Sequence, residues 1–132
     1  WLSWTLHGDK VNTLPSGEKV EKAFAELEGL EPEAYLVNCC AANLVTPSIK
    51  ALKEVTDVPL GGYANAENIE VNLNSSKSML AEERHWGSAV KINERTYLKE
   101  AKLWIKEGAT IIGGCCRTRP SYIKELSENL KT

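Results

Sequence analysis

Residues 96–116, TYLKEAKLWIKEGATIIGGCC, decide the fold class of this chain. From Thr96 to Lys106 the apolar side chains recur at helical spacing around one face, and Gly108 follows as a helix terminator. Ala109–Gly113 is then a short run that predicts a strand. A helix that leads directly into a strand is the repeating element of α/β folds.

The same alternation extends over the rest of the chain. Further strands are predicted at residues 2–7, 34–39 and 58–63, and further helices at residues 18–28 and beginning at Thr46 and Pro120. Ser16 is the predicted N-cap of the first helix and Gly29 its predicted C-cap, and Pro47 is expected at the first helical position of the second. The order β-α-β-α-β-α-β-α predicts a parallel sheet with helical crossovers. Half of an eight-unit barrel and a small open sheet both fit this pattern.

Residues 64–95 depart from this alternation. The segment is polar and rich in Asn and Ser, and we predict a long loop excursion in which a short helix forms around Ser78–Trp86. Loops of this length in compact domains are usually either functional or disordered. We expect His85 to be solvated and Trp86 to anchor the loop or the core. The acidic pair Glu82-Glu83 is expected on a solvated face.

Length and charge exclude several functional classes. The 132 residues suffice for one domain with its own hydrophobic core. With 16 Lys and Arg against 18 Asp and Glu, the net charge of −2 gives no electrostatic reason to bind nucleic acid or an anionic membrane. No apolar run approaches the roughly 20 residues that span a bilayer, and residues 1–10 lack the features of a signal peptide. Because the chain starts at Trp1, we expect it to begin inside a longer natural chain.

Four cysteines form two adjacent pairs, Cys39-Cys40 and Cys115-Cys116, each at the C-terminal end of a predicted strand. Parallel α/β folds assemble their sites at that edge. Three cysteines, Cys39, Cys115 and Cys116, would offer Zn²⁺ three thiolates and leave one tetrahedral position open for substrate. Neighbouring side chains on a regular strand point to opposite faces, so Cys40 should point away from Cys39. Cys115 and Cys116 can share a metal only if the chain bends there, which Gly113-Gly114 would make easy.

Two other states of the cysteines fit the same spacing. They could be ordinary buried thiols, which are common in protein cores, or they could form one or two disulfides. Small secreted disulfide domains are usually denser in cysteine than this chain. We therefore expect a reducing, cytoplasmic setting, in which clustered cysteines indicate metal binding or catalysis.

Two stretches resemble the signatures of the homocysteine S-methyltransferase family, namely Val37-Asn38-Cys39 and GGCCRT at residues 113–118, followed by Pro120. The GGCCRT motif is highly specific. Other parts agree with the family in order: Leu2-Ser3-Trp4-Thr5, Ser16-Gly17-Glu18, Tyr63-Ala64-Asn65 and Trp86. The family often has Tyr-Pro-Asn in place of Tyr63-Ala64-Asn65, and Cys40 is an additional cysteine beside a ligand position.

The resemblance covers essentially the whole chain and implies a fold and a reaction. Family members are (β/α)8 TIM-type barrels, so residues 1–132 would form a single domain, the parallel α/β (β/α)4 C-terminal half of such a barrel. The zinc-binding cysteines of the family correspond to Cys39, Cys115 and Cys116. The implied reaction transfers a methyl group from a sulfonium or ammonium donor to the thiol of homocysteine, which gives methionine. S-methylmethionine, S-adenosylmethionine, betaine and methylcobalamin remain open as donors.

Beyond the metal ligands we expect no catalytic residue, because a zinc-bound thiol would stay deprotonated at neutral pH. Asn38, Tyr63 and Asn65 lie at strand ends and are candidate substrate-binding residues, with hydrogen bonding to backbone or packing as the alternatives. We expect His7 to be a loop or surface residue. Arg117 is expected to support the last strand–helix turn, with a substrate carboxylate as its alternative partner.

A half-barrel would expose two strand edges and apolar surface. We therefore expect a second half-barrel chain or self-association in addition to the small-molecule partners, homocysteine and a methyl donor. A catalytically inactive zinc-binding half-barrel that serves as an interaction module is an alternative function. A redox protein that uses its adjacent cysteines is another.

Overall fold

The computed structural model describes residues 1–27, 29–70 and 89–130. Its elements are β1 (Leu2–Thr5), α1 (Val20–Glu26), β2 (Tyr35–Ala41), a 3₁₀ helix (Ala42–Leu44), α2 (Val45–Lys53), β3 (Leu60–Asn65), β4 (Glu67–Asn68), β5 (Val90–Lys91), α3 (Glu94–Lys106), β6 (Ala109–Gly114) and α4 (Pro120–Asn129). The predicted alternation of strands and helices is therefore confirmed in these ranges. The helix predicted around Ser78–Trp86, with Glu82-Glu83 and His85, lies outside the described residues.

The main sheet has the strand order β1-β2-β3-β6, and all of its neighbouring strands are parallel. Leu2 lies opposite Tyr35, Tyr35 opposite Leu60, and Leu60 opposite Ala109. The predicted parallel α/β class is thus confirmed, with the strands added in chain order as in a (β/α)4 unit. Within the described residues the sheet does not close on itself, so β1 and β6 are its two edges.

One face of the sheet is covered by helices and carries the core. Right-handed crossovers between strands that are added in chain order place all the helices on the same face. Trp4 and Val37 belong to this core from β1 and β2, and Trp104 joins it from α3 with no exposed surface. The Trp104 indole Nε1 donates to Ala42 O at 3.0 Å, so its buried polar atom is satisfied. Truncation of a tryptophan packed in this way costs about 3–5 kcal/mol.

The opposite face of the sheet, which we call the open face, is not covered by the helix layer. Ser3, Leu36, Tyr63, Ile111 and Gly113 line a shallow groove of about 410 Å³ there. Side chains alternate between the two faces along each strand, so the same strands that build the core also build this groove. In a closed barrel this face would be the interior.

The described ends of the predicted excursion at residues 64–95 pair with each other. β4 and β5 form a two-stranded antiparallel ribbon in which Glu67 lies opposite Lys91. The side chain of Asn43 holds the neighbouring backbone, because its Nδ2 donates to Ile69 O at 2.8 Å and its Oδ1 accepts from Ile69 N at 3.0 Å. The base of the segment is therefore tied to the 3₁₀ helix that follows β2.

Helix starts depart from the sequence predictions in two places. The predicted N-cap Ser16 is wrong, because α1 begins at Val20 after Lys19. Ser16 instead lies in a turn that is closed by hydrogen bonds from Leu14 N to Glu18 O and from Gly17 N to Leu14 O. In α2, Pro47 is the third helical residue and not the first, because a 3₁₀ helix leads directly into α2.

The described helices are all short relative to a bilayer. The longest of them, α3, has 13 residues, and none in residues 1–27, 29–70 and 89–130 combines the length and apolar character needed to cross a membrane.

Candidate metal centre

Three thiols meet at the C-terminal edge of the sheet. The Sγ atoms of Cys39, Cys115 and Cys116 all lie within 4.8 Å of one another. β2 and β6 are not neighbours, since β3 lies between them. The cluster therefore spans three strands and can form only after β3 has paired on both sides.

A β-bulge sets the position of Cys39. Asn38 lies opposite Tyr63 and Ala41 opposite Asn65, so β2 uses three steps where β3 uses two. Cys39 is the additional residue of the bulge, and its backbone adopts the left-handed region with φ of 48°. This conformation costs a non-glycine residue about 1–2 kcal/mol. The next residue, Cys40, packs in the hydrophobic core. The bulge thus separates the two cysteines, one for the cluster and one for the core.

A tight turn sets the positions of Cys115 and Cys116. Cys115 N donates to Ala64 O at 2.8 Å and so extends the parallel ladder by one residue beyond β6. The chain then turns, with Thr118 N and Thr118 Oγ1 donating to Cys115 O at 3.3 and 2.6 Å. Arg117 makes the turn possible by adopting a left-handed φ of 65°. As a result both cysteines point into the same cluster.

The two glycines before the cysteines act differently from the sequence expectation. Gly113 and Gly114 belong to β6 and neither has a positive φ, so the bend does not occur there. A Cβ on Gly114 would lie 2.6 Å from Thr118 Oγ1 and 2.9 Å from Thr118 Cβ. Gly114 is therefore needed because it leaves room for the Thr118 side chain that closes the turn.

A buried polar network supports Cys116 from β3 and β4. Cys116 N donates to Asn65 Oδ1 at 3.1 Å, and Asn65 Nδ2 donates to Glu67 Oε1 at 3.2 Å. The other carboxylate oxygen, Glu67 Oε2, lies 3.4 Å from Arg117 Nη1. Sequence reasoning missed Glu67. The one feature of the sequence that could have indicated Glu67 is its position two residues after Asn65, an asparagine at a strand end.

Electrostatics in the cluster oppose thiol ionisation when no cation is nearby. Burial, and after it the charge of the neighbouring Cys39, together raise the pKa of Cys115 to about 11. All four cysteines lie in the described part of the chain, and none of them forms a disulfide there. A group of thiols that cannot ionise together becomes a set of thiolates when a divalent cation compensates their charge.

Tyr97 of α3 joins the two strands that lead to the site. Its hydroxyl lies 2.8 Å from Gly113 O and 3.0 Å from Ala64 O, so one proton is shared between the ends of β6 and β3. Burial is the main reason that the pKa of Tyr97 is raised well above its usual value. The hydroxyl therefore stays protonated and remains a donor to these carbonyls.

The candidate substrate residues occupy different environments. Asn38 is half-buried, and its Oδ1 accepts from Ser3 Oγ at 3.1 Å and from Thr5 Oγ1 at 3.4 Å. Tyr63 is half-buried in the groove of the open face. Asn65 is 1% exposed, and both ends of its amide are hydrogen-bonded within the chain.

Two further side chains can be placed. His7 lies in a loop, one of its two expected placements, but it is 1% exposed and so is not at the surface. Its Nδ1 lies 3.0 Å from Asp9 Oδ1 in the loop that follows β1. Arg117 contacts Glu67, as expected for a residue that supports the last strand–helix turn, while its side chain remains partly exposed.

The family model described as homocysteine S-methyltransferase matches residues 1–130. The chain belongs to the homocysteine S-methyltransferase family. The resemblance drawn from the GGCCRT motif is thereby confirmed.

Curated relatives agree with this assignment, and a solved structure shares the fold. Homocysteine S-methyltransferase 3 of Zea mays is 26% identical over 98% of this chain and 36% of its own length. Selenocysteine methyltransferase of Astragalus bisulcatus is 25% identical over 100% of this chain and 36% of its own length. The metallated crystal form of the homocysteine methyltransferase MmuM from Escherichia coli has a TM-score of 0.65 at 23% identity, covering 96% of this chain and 34% of that chain. The chain thus spans about a third of the length of the relatives it matches.

The thiol cluster of this family member fits a tetrahedral metal ion. With zinc–sulfur bonds of about 2.3 Å, the sulfur atoms of a tetrahedral site are roughly 3.8 Å apart. The three Sγ atoms, within 4.8 Å of one another, need to approach by no more than about 1 Å. Soft thiolates suit zinc, and three of them leave a fourth position for another ligand. The donor set therefore has the composition and spacing of a metal site with one open position.

Proposed function

We propose that this chain is the metal-binding half of a zinc-dependent homocysteine S-methyltransferase. The observation that supports the proposal best is the convergence of Cys39, Cys115 and Cys116 from two non-adjacent strands to within 4.8 Å. Such a cluster at the C-terminal edge of a parallel sheet matches the place where barrel enzymes hold their reactive groups. The names of the relatives supply the acceptor, a thiol or selenol amino acid.

The proposed chemistry is methyl transfer to a thiolate. Zinc held by these cysteines would supply the Lewis acidity that keeps the homocysteine thiol deprotonated at neutral pH. The three cysteine thiolates carry three negative charges against the two positive charges of the cation, and so keep the acceptor sulfur electron-rich. A sulfur–carbon bond forms to the methyl group while the bond from that carbon to a sulfonium or ammonium donor breaks. The bonding electron pair stays on the donor, the thiol proton passes to solvent, and methionine is formed.

Other residues would orient the substrate. Tyr63 borders the groove of the open face, and Asn38 lies directly before Cys39 on β2. We propose that both face bound substrate at the C-terminal edge of the sheet. Their contribution would be alignment of the reacting atoms and exclusion of water.

We also propose that the chain forms the C-terminal half of a (β/α)8 barrel and pairs with a second half or with itself. Next to the edge strand β6, an apolar groove of about 520 Å³ runs between α3 and α4 and is lined by residues such as Ile105, Ile112 and Leu126. Ile123 in this groove is 47% exposed. Unpaired strand edges and apolar grooves of this kind favour burial against another layer. Cysteines that form no disulfide in the described part of the chain suit a reducing compartment such as the cytoplasm.

Metal content and catalysis test the proposed function separately. The full chain should bind one zinc ion, measured by elemental analysis alongside its mass in solution. Methionine formation from homocysteine and each candidate donor should then require the chain, zinc and the N-terminal part of a relative. Cys39→Ser should abolish turnover, whereas Cys40→Ser, the matched change in the core, should retain it. Turnover that is independent of zinc, or insensitive to Cys39→Ser, would refute the mechanism.

The open face also motivates the alternative of an inactive interaction module. In that case the chain binds zinc with three protected thiols but forms no methionine with any donor, even when the N-terminal part is present. A redox function would instead give a reversible disulfide between Cys115 and Cys116 in a chain that contains no zinc.

A further inference from the structure

Cys116 is the cluster member that the sheet constrains least. Cys39 lies inside β2, and Cys115 makes the last hydrogen bond of the β3–β6 ladder. Cys116 lies beyond that ladder and is exposed. Its backbone is held instead by Ala66 N, which donates to Cys116 O at 2.9 Å, and by the side chain of Asn65.

The orientation of the Asn65 amide is fixed by its two partners. Asn65 Oδ1 accepts from Cys116 N at 3.1 Å, and Nδ2 donates to Glu67 Oε1 at 3.2 Å. Reversal of the amide would place an NH₂ group against the Cys116 N–H and an oxygen against the Glu67 carboxylate. Because a carboxylate only accepts hydrogen bonds, Glu67 selects the orientation in which Asn65 can receive the Cys116 N–H.

The Glu67 carboxylate is in turn held by the residue that follows Cys116. Glu67 is 4% exposed, so its charge needs a partner, and Arg117 Nη1 lies 3.4 Å from Oε2. The backbone of Arg117 adopts a left-handed φ of 65°, which residues other than glycine rarely do. The ion pair thus stabilises the turn that directs Cys116 and, through Asn65, also holds the Cys116 backbone.

We propose that Asn65, Glu67 and Arg117 are positioning residues that hold Cys116 as the third thiolate ligand of the metal. For Asn65 this role takes the place of the substrate contact expected from the sequence. The inference rests on the proposed function, since it presupposes the metal site. Loss of the network should leave Cys39 and Cys115 in place and free Cys116, so that the site changes from three thiolates to two.

Cobalt substitution and thiol protection in the full chain test this role without an activity assay. Each thiolate bound to Co²⁺ contributes to the near-ultraviolet charge-transfer absorption, so losing one of three should lower it to about two-thirds. Asn65→Ala should produce this drop and weaken zinc binding by about 10–100-fold, the usual cost of removing a group that orients a metal ligand. In the zinc-loaded variant, alkylation followed by mass analysis should identify Cys116 as newly reactive.

Two further variants separate positioning from folding. Glu67→Gln retains the size of the side chain and an acceptor for Asn65 but removes the charge that Arg117 pairs with, so it should weaken zinc binding less than Asn65→Ala does. Asn93→Ala removes a comparable side-chain hydrogen bond, from Thr96 N to Asn93 Oδ1 at 3.0 Å, at the start of α3. It should leave the Co²⁺ spectrum and the zinc affinity unchanged.

The outcomes distinguish this inference from the proposed function. If Asn65→Ala and Glu67→Gln retain the three-thiolate spectrum, the zinc affinity and the protection of Cys116, the positioning role is refuted and the metal site stands. An effect of equal size in Asn93→Ala would likewise refute it, because general destabilisation would then explain the loss. If the unaltered chain binds neither Co²⁺ nor Zn²⁺, the metal site fails and the inference fails with it.

Discussion

The Cys39-Cys40 pair lies inside β2, whereas the Cys115-Cys116 pair lies just beyond the end of β6. In the first pair a bulge sends one thiol to the cluster and the other into the core. In the second pair a turn brings both thiols to the cluster. The same dipeptide therefore has different roles because the backbone around it differs. Left-handed residues occur at both places: Cys39 lies where the bulge interrupts β2, and Arg117 lies in the turn that follows β6.

Serine substitutions within the two pairs should give the largest difference. Cys115→Ser should weaken zinc binding by more than about 100-fold, because it removes a ligand and not merely a group that orients one. Cys40→Ser should retain zinc but lower the free energy of unfolding by about 1–3 kcal/mol, since it places a hydroxyl in the hydrophobic core. Competition with a chelator and urea denaturation measure the two effects. Equal zinc affinities for both variants would contradict the assignment of Cys40 to the core alone.

A side chain at Gly114 should disturb the positions of Cys115 and Cys116 and leave the Cys39-Cys40 pair in place. Gly114→Ala should lower the free energy of unfolding by about 1–3 kcal/mol, because the new Cβ would meet Thr118 Oγ1 at 2.6 Å. Zinc affinity should fall as well, since the turn that carries Cys116 must shift. A double variant with Thr118→Ala removes the two nearest atoms, Oγ1 at 2.6 Å and Cγ2 at 2.8 Å, and leaves the Cβ at 2.9 Å, so it should recover part of the loss on urea denaturation. Absence of recovery would show that the Gly114 contact with Thr118 is not what requires glycine.

Loss of the Tyr97 hydroxyl should have a smaller effect, at the ends of β3 and β6 that lead to the Cys115–Thr118 turn. Tyr97→Phe should lower the free energy of unfolding by about 1–2 kcal/mol, because the ends of β3 and β6 lose their shared donor. Tyr122→Phe is the matched control, since that hydroxyl donates to Ile92 O at 2.7 Å. Thermal unfolding with and without zinc should show that Tyr97→Phe reduces the stabilisation by zinc more than Tyr122→Phe does. The opposite order would argue against a role of Tyr97 behind the cluster.

A change at Asn38, the residue before the Cys39-Cys40 pair, should affect zinc binding least. Asn38→Ala removes an acceptor shared by the Ser3 and Thr5 hydroxyls, at a cost of about 0.5–1.5 kcal/mol in the free energy of unfolding. Zinc affinity should be unchanged, because the bulge at Cys39 is a backbone feature. In an active, completed enzyme KM for homocysteine should rise if Asn38 contacts substrate. An unchanged KM would leave Asn38 with a structural role only.

Much of the fold followed from local patterns. Helical spacing in residues 96–106 and the strand run that follows predicted α3 and β6, and the alternation predicted the parallel sheet. Helix starts were less predictable, because Ser16 has the residue type of an N-cap but its backbone is used in a turn. The burial of His7 in its loop was also not predictable from the sequence. A polar residue directly after a strand is expected at the protein surface, but the loop that follows the strand can fold back and cover it.

The sequence by itself determined the order of strands and helices and the presence of cysteines at two strand ends, because periodicity and residue type are local information. Side-chain alternation and the family resemblance also pointed to Cys39, Cys115 and Cys116 as the three thiols that meet. Only the tertiary structure decided how the backbone brings them together. The bulge at Cys39 arises from the register of β2 against β3, and the turn after Cys115 depends on Asn65 and Glu67, about 50 residues earlier in the chain. Contacts between residues so far apart become favourable only once the sheet has paired, so no local pattern could predict them.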